Sequence, residues 1–209
     1  MLITVEGLDG AGKNTLTSAL SETWRGRGLR VAKMAFPRYG QSVHADVAAE
    51  SLRGDFDGRI AADPLGMALL FALDRYEAKG ELEALLGAHD VVLCDRYVAS
   101  NAAYGAARLG EDATGPFAAW VLAFEFGRLG LPKPDHQLLL ATPPGLAAER
   151  ARWRAASDPG RERDAYERDA PLQERVGAVY AGLAETGWAG PWRLIAPEAD
   201  PAGLAAELL

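Results

Sequence analysis

One cysteine in 209 residues, Cys94, excludes an internal disulfide. It sits in an apolar strand pattern, where a buried structural thiol in a reducing cytosol is the plain reading. Positive charge is also scarce: 22 Lys and Arg face 29 Asp and Glu, leaving a net charge of −7. Such a surface repels nucleic acid and anionic membrane over most of its extent, so neither is expected as a partner, although local arginines can still hold a small anion. No uninterrupted apolar run reaches the ~18 residues of a membrane span, and the first run is short with no basic segment before it. A cytoplasmic protein is expected. Ser- or Pro-rich tracts, charge blocks and internal repeats are missing too, so the chain reads as one α/β domain, 1–209, with a substantial core.

What is present is five short apolar runs, near 2–6, 30–36, 90–95, 136–141 and 192–196, alternating with longer helical patterns. That alternation predicts a five-stranded parallel sheet covered by helices on both faces. Ligands in such folds sit at the carboxyl ends of the strands, so the informative loops follow the runs. Four carry distinctive residues: Asp9 and Lys13 after the first, Phe36-Pro37-Arg38-Tyr39-Gly40 after the second, Asp95-Arg96-Tyr97 after the third, and Thr142-Pro143-Pro144 after the fourth. The fifth leads only to a terminal helix. Between the fourth and fifth runs, about 150–168, six arginines (150, 152, 154, 161, 163 and 168) surround the breaker Ser157-Asp158-Pro159-Gly160, which reads as a mobile basic lid between two helices.

The most specific pattern is LITVEGLDGAGKNTLTS at 2–18: strand, glycine-rich loop with one lysine, helix. This is a phosphate loop. Gly7, Asp9, Gly10, Ala11, Gly12 and Lys13 would wrap backbone amides and one full charge around the phosphates of ATP, with Asn14 and Thr15 opening the helix. The position after the lysine is normally Ser or Thr, whose hydroxyl ligates Mg²⁺, and here it is Asn14. Three readings stay open: the amide oxygen binds Mg²⁺, Asn14 points away while Thr15 and water take over, or activity is lost.

Asp95 falls where a phosphate-loop protein keeps the acid that orients Mg²⁺, and Arg96 beside it offers a rigid fork for a second phosphate. The alternative is an N-cap aspartate with a solvated arginine. Phe71 and Arg75 lie one helical turn apart and can stack on and hydrogen-bond a base, although the leucines around Phe71 fit a core residue equally. Asn101 and Tyr104 are also one turn apart, either reading a base edge and a sugar or belonging to an ordinary amphipathic helix. The loop 36–40 shows Arg38 and Tyr39 and no acid. A nucleoside hydroxyl wants a carboxylate nearby, whereas a monophosphate, second pKa ≈ 6, wants positive groups, so an acceptor that already carries a phosphate is favoured.

Together EGLDGAGK, FPRYGQS, ALDR, DRYVASNAAY, GLPKPD and DPGRERDAYERD resemble the thymidylate kinases over nearly the whole chain. The resemblance implies a phosphate-loop kinase fold and transfer of the ATP γ-phosphoryl to dTMP, giving dTDP and ADP, with Mg²⁺ and a homodimer. Phe71 would stack on thymine, and Arg75 and Asn101 would bond its edge. Tyr104 would crowd the place of a ribose 2′-hydroxyl and Tyr166 would cover the base. Arg96 and Tyr39 would hold the acceptor phosphate, with Phe36, Pro37 and Ser100 shaping that side and Asp9 and Asp164 near the 3′-hydroxyl. Asp9, Asp95 and Glu167 would serve the metal. Lys13, Arg96 and Asp9 would be catalytic together with a lid arginine, Arg161 first and Arg154 next, because the loop itself has Gly10-Ala11 and no arginine. Two other readings remain: a nucleoside monophosphate kinase for dUMP, dCMP or AMP, and a phosphate-loop nucleotide switch. The apolar helix at 115–130 serves a dimer face or the core.

Overall fold

The computed structural model describes residues 1–157 and 164–209. The five apolar runs form β1 (Leu2–Glu6), β2 (Val31–Ala35), β3 (Val91–Asp95), β4 (His136–Leu140) and β5 (Trp192–Ile195), each end within one residue of the sequence pattern. All pairings are parallel, in the order β2-β3-β1-β4-β5. Parallel strands need crossover connections, and helices supply them. α1 (Lys13–Gly26) joins β1 to β2. α2 (Val43–Arg53), the single turn α3 (Arg59–Ala62), α4 (Pro64–Glu77) and α5 (Lys79–Ala88) separate β2 from β3. α6 (Val98–Leu109) and α7 (Pro116–Val121) follow β3, then α8 (Pro144–Ser157), α9 (Ala165–Arg168) and α10 (Ala170–Glu185) follow β4, and α11 (Pro201–Leu208) closes the chain.

The two-residue period of the strands divides the core. Ile3, Val5, Val91, Leu93, Leu138 and Leu140 pack with Leu16, Leu20 and Trp24 of α1 and Leu204 of α11 on one face. Leu2, Val92, Cys94 and Leu139 pack on the other with α6, α7 and α10. Glu6 continues the series of Leu2 and Thr4, so it enters that second, apolar face and is fully buried. Cys94 is likewise buried, as its strand position predicts.

The sequence pattern departs from the structure at 115–130. α7 does not run on as an α-helix; Leu122–Arg128 wind as a π-helix, and Glu125 within it is fully buried. π-segments of this kind cluster at functional sites. Among the described residues no helix is long and apolar enough to cross a membrane.

Two helical glycines give opposite expectations. A Cβ at Gly105 of α6 would fall inside the buried ring of Phe117, whereas one at Gly177 of α10 meets nothing closer than 3.8 Å. Alanine normally gains about 0.5–1 kcal/mol over glycine in a helix. Gly177→Ala is therefore expected to raise the thermal midpoint by about 1–4 °C, and Gly105→Ala to lower it through an overpacking cost of about 1–3 kcal/mol. Thermal unfolding of the two variants side by side checks the packing of α6 on α7.

Candidate active site

The carboxyl end of β1 runs into the loop 7–12. Gly7, Gly10 and Gly12 take φ of 141°, 83° and 102°, a region that favours glycine, so the loop can curl and start α1 at Lys13. The first amides of α1 have no partner within their helix and carry the positive end of its dipole, which makes a seat for an anion. The Thr142 hydroxyl donates to the Ala11 carbonyl at 3.1 Å and braces the loop from the end of β4. Lys13 Nζ donates to the carbonyls of Leu8 (2.9 Å) and Gly7 (3.2 Å) and lies 4.0 Å from Asp9. Burial and the Arg96 charge push its pKa down to about 8, against the pull of Asp9 and Asp95.

Arg96 is the centre of the site. It leaves β3 with φ of 64°, a strained value for a residue with a side chain, and strain of this kind persists only where several contacts over-determine the conformation. Its Nη2 donates to Asp9 at 2.6 Å, and its Nη1 donates to the Ser100 hydroxyl at 3.1 Å and approaches that of Tyr180 at 3.4 Å. Tyr104 donates its hydroxyl to the second Asp9 oxygen at 2.8 Å. Burial by itself would raise the pKa of Asp9; the charges of Arg96 and Lys13 override it and hold the carboxyl well below its usual range. Beneath them lies Glu6, which accepts from the Tyr97 amide (2.8 Å), Ser100 (2.7 Å) and Tyr180 (3.0 Å). Desolvation raises the pKa of Glu6 in spite of those bonds.

On the far side of Arg96 the cleft is lined by Phe36, Pro37, Tyr39, Phe71, Arg75, Ser100, Asn101 and Tyr104. Phe71 is half-buried, resting on the small cluster of Ala48, Leu52 and Met67 while bordering the cleft. Arg75 is 3% exposed and pairs with Glu125 through Nε (2.6 Å) and Nη2 (2.8 Å). Asn101 Nδ2 donates to the Ala68 carbonyl (2.9 Å) and to Glu125 (2.7 Å). The Tyr104 ring stacks on that of Tyr166 at 5.8 Å, and Arg108 donates to the Tyr166 hydroxyl at 2.6 Å.

Arg38 corrects the sequence reading. Its guanidinium turns away to the buried Asp74 (2.9 Å) and toward Glu77 (3.7 Å), so it anchors the loop 36–40 on α4 and adds no positive charge to the cleft. The end of β5 is a second correction. Instead of leading only to a terminal helix, Ile195, Ala196, Pro197, Ala199 and Pro201 line the cleft beside the phosphate loop. Asn14 and Thr15 are both exposed there.

From the lid, Arg150, Arg154, Asp164, Tyr166, Glu167 and Arg168 reach the cleft, and Arg154 pairs with Glu167 at 3.0 Å. Asp164 caps α9 through the Glu167 amide at 2.9 Å. Burial, with Asp9 and Asp164 close by, pushes Glu167 up to about 7. Arg161 and Arg163 lie outside the described residues. Among the described residues no three acidic, histidine or cysteine groups gather as a metal cage, so Asp9, Asp95 and Glu167 do not form one. Asp9 is committed to Arg96 and Tyr104, whereas no side chain of the described residues hydrogen-bonds Asp95, which borders the cleft beside Lys13.

The whole cleft encloses about 1630 Å³, above the ~300–1,000 Å³ of a pocket for one small ligand. A phosphate loop and a separate arginine site, meeting at Asp9, fit two nucleotides. The thymidylate kinase family model matches residues 5–189. The chain belongs to the thymidylate kinase family. It is 59% identical over 208 residues to thymidylate kinase of Mycobacterium tuberculosis (strains CDC 1551 / Oshkosh and ATCC 25618 / H37Rv), covering 100% of this chain and 97% of that protein. It is 35% identical to thymidylate kinase of Xanthomonas oryzae pv. oryzae (strain PXO99A), over 88% of this chain and 71% of the relative. The family match runs from the phosphate loop through α10 and ends before the β5 loop that also borders the cleft.

Glu6, Tyr180 and Glu125 were missed by reading the sequence. Each carries its signal only through a partner distant in the chain: 94 residues separate Glu6 from Ser100 and 50 separate Arg75 from Glu125. Tyr180→Phe removes the hydroxyl that touches Glu6, Ser100 and Arg96 while keeping the ring. It is expected to cost about 1–3 kcal/mol, a fall of roughly 2–12 °C in thermal midpoint, because Glu6 stays buried with one donor fewer. Tyr39→Phe, at a residue 48% exposed, should leave the midpoint within about 1 °C. Differential scanning calorimetry of the pair measures what the buried network contributes.

Proposed function

We propose that this site transfers the γ-phosphoryl group of ATP to dTMP, and that the residues above divide the work as follows. The observation that carries the reading is the Asp9–Arg96 pair standing between two differently built halves of one cleft: loop amides and Lys13 on one side, an aromatic and amide-bearing pocket on the other. A nucleotide switch needs the first half and has no use for the second.

Bringing two polyanions together is an electrostatic problem, and it is solved by positive groups fixed before the reaction. Lys13 and the α1 amides hold the donor phosphates, and Arg96 with Tyr39 holds the phosphate of dTMP. An oxygen of that phosphate attacks the γ-phosphorus while the bond to the β-phosphate oxygen breaks and ADP leaves. The attacking oxygen is already ionised at neutral pH, so no general base is required. A lid arginine completes the charge in flight. Arg161 is the first candidate, and Arg154, held in the cleft by Glu167, is the next.

Members of this family are ATP-dependent kinases that generally need a divalent metal, and we assign Mg²⁺. A protein cage is not needed, since Mg²⁺ in such sites binds chiefly phosphate oxygens and water with one or two carboxylates. Asp95 fits that role best, Asp9 and Glu167 being engaged with arginines, and the ion would neutralise the donor phosphates. Asn14, exposed at the helix start, leaves that hydroxyl position to Thr15 or to water. Tyr104, pinned by Asp9 and by Tyr166, cannot swing aside for a ribose 2′-hydroxyl, which favours a deoxynucleotide. Homodimerisation is assigned to the outer face of the 116–128 helix, where Ala119 and Ala123 are exposed around the stacked rings of Trp120 and Phe124.

The test is ADP release with ATP, Mg²⁺ and a panel of dTMP, dUMP, dCMP, AMP or no acceptor, on the native protein and on Lys13→Ala. ADP is expected only when a monophosphate is added, fastest with dTMP, and the variant should lose at least ~100-fold in kcat with its circular-dichroism spectrum unchanged. ADP formed at the same rate without any acceptor would overturn the kinase reading.

A further inference from the structure

Asn101 and Arg75 border the cleft, yet both amide hydrogens of Asn101 and two of the five N–H groups of Arg75 are already spent inside the protein. Asn101 has two amide hydrogens, and both acceptors facing its nitrogen are oxygens with nothing to donate: the Ala68 carbonyl at 2.9 Å and the Glu125 carboxylate at 2.7 Å. An Asn side chain can be turned end for end only where its surroundings tolerate the exchange. Here the exchange would set the Asn101 carbonyl oxygen against two other oxygens, one of them charged. The same carboxylate takes Nε and Nη2 of Arg75, and among the described residues nothing hydrogen-bonds Nη1 or the Asn101 Oδ1. Glu125 therefore leaves the cleft donors alone on Arg75, at Nη1, and a fixed acceptor on Asn101, at Oδ1.

We infer that Glu125, buried in the π-helix and outside reach of any ligand, is a positioning residue that sets the hydrogen-bonding polarity of the base pocket, and that this polarity rejects cytosine. The inference rests on the reading of this pocket as the dTMP site. Thymine offers O4 as an acceptor and N3–H as a donor, matching Arg75 and Asn101. Cytosine offers an amino group and a bare N3, so it meets donor with donor and acceptor with acceptor. Uracil shares the thymine edge, so Glu125 has no part in telling dTMP from dUMP.

That last point separates specificity from a structural role. Glu125→Gln replaces one of the two oxygens by an amide that can donate to Asn101 Oδ1, and Glu125→Asp keeps the charge for Arg75 while falling short of Asn101. For each variant kcat/KM is measured with dTMP, dUMP and dCMP at saturating ATP. The dTMP-to-dCMP ratio is expected to fall ~10-fold or more while the dTMP-to-dUMP ratio stays within about 2-fold. An equal loss with all three nucleotides would overturn the inference. Should neither variant fold, the side-chain amide of Asn101 in the ¹⁵N-labelled native protein decides: both protons are expected to exchange slowly with and without dTMP, and rapid exchange in the free protein would contradict a locked amide. Asn101→Ala separates the layers. If it leaves the dTMP-to-dCMP ratio unchanged, the base-pocket reading itself fails; if it collapses the ratio and the Glu125 variants do not, only the role of Glu125 fails.

Discussion

The ion pair between Asp9 and Arg96 is the contact on which the rest of the site depends. It joins the loop after β1 to the loop after β3, and it holds a guanidinium whose backbone sits at φ 64°. Strain of about 1–3 kcal/mol at such a residue has to be offset by its surroundings. Asp9, Ser100, Tyr180 and Tyr104 all converge on that guanidinium, and Glu6 orders Ser100 and Tyr180 in turn. A buried acid carries a desolvation cost, so Glu6 weakens the core locally and stiffens the site above it.

A second frame is built on neighbouring residues of α4. Asp74 turns outward from the base pocket to hold Arg38 and with it the loop 36–40, while Arg75 turns to Glu125 and Asn101. One helix thus fixes both the loop proposed for the acceptor phosphate and the edge proposed for its base. Because both anchors are buried, the side chains proposed to meet the ligand are ordered beforehand, which leaves little conformational entropy to lose on binding.

The parts of this arrangement legible in the sequence are those whose signal is local. Strand order aside, the five apolar runs mark the strands to within a residue, and the strand–loop–lysine pattern marks the anion seat. The spacing of Phe71 and Arg75 places them on one side of α4, and both border the cleft. Arg38 shows the limit. Beside Tyr39 it reads as positive charge in a loop without an acid, and only the fold brings Asp74, 36 residues on, to claim it. Glu125 is harder still, a lone acid among aromatics in a stretch that reads as an apolar helix, and it is the fold that buries it in the π-turns. The β5 loop carries no chemical signature, because a wall of Ala and Pro contributes shape alone.

The central claim is that Arg96 is held as a rigid phosphate fork, and calorimetric titration of dTMP and of thymidine into the native protein and Arg96→Lys tests it most directly. Lysine keeps the charge and loses the fork that Asp9, Ser100 and Tyr180 orient. Affinity for dTMP should fall about 10-fold or more while affinity for thymidine, which has no phosphate, stays within about 3-fold. An equal loss for both ligands would show that Arg96 shapes the pocket in general and contradict its assignment to the acceptor phosphate.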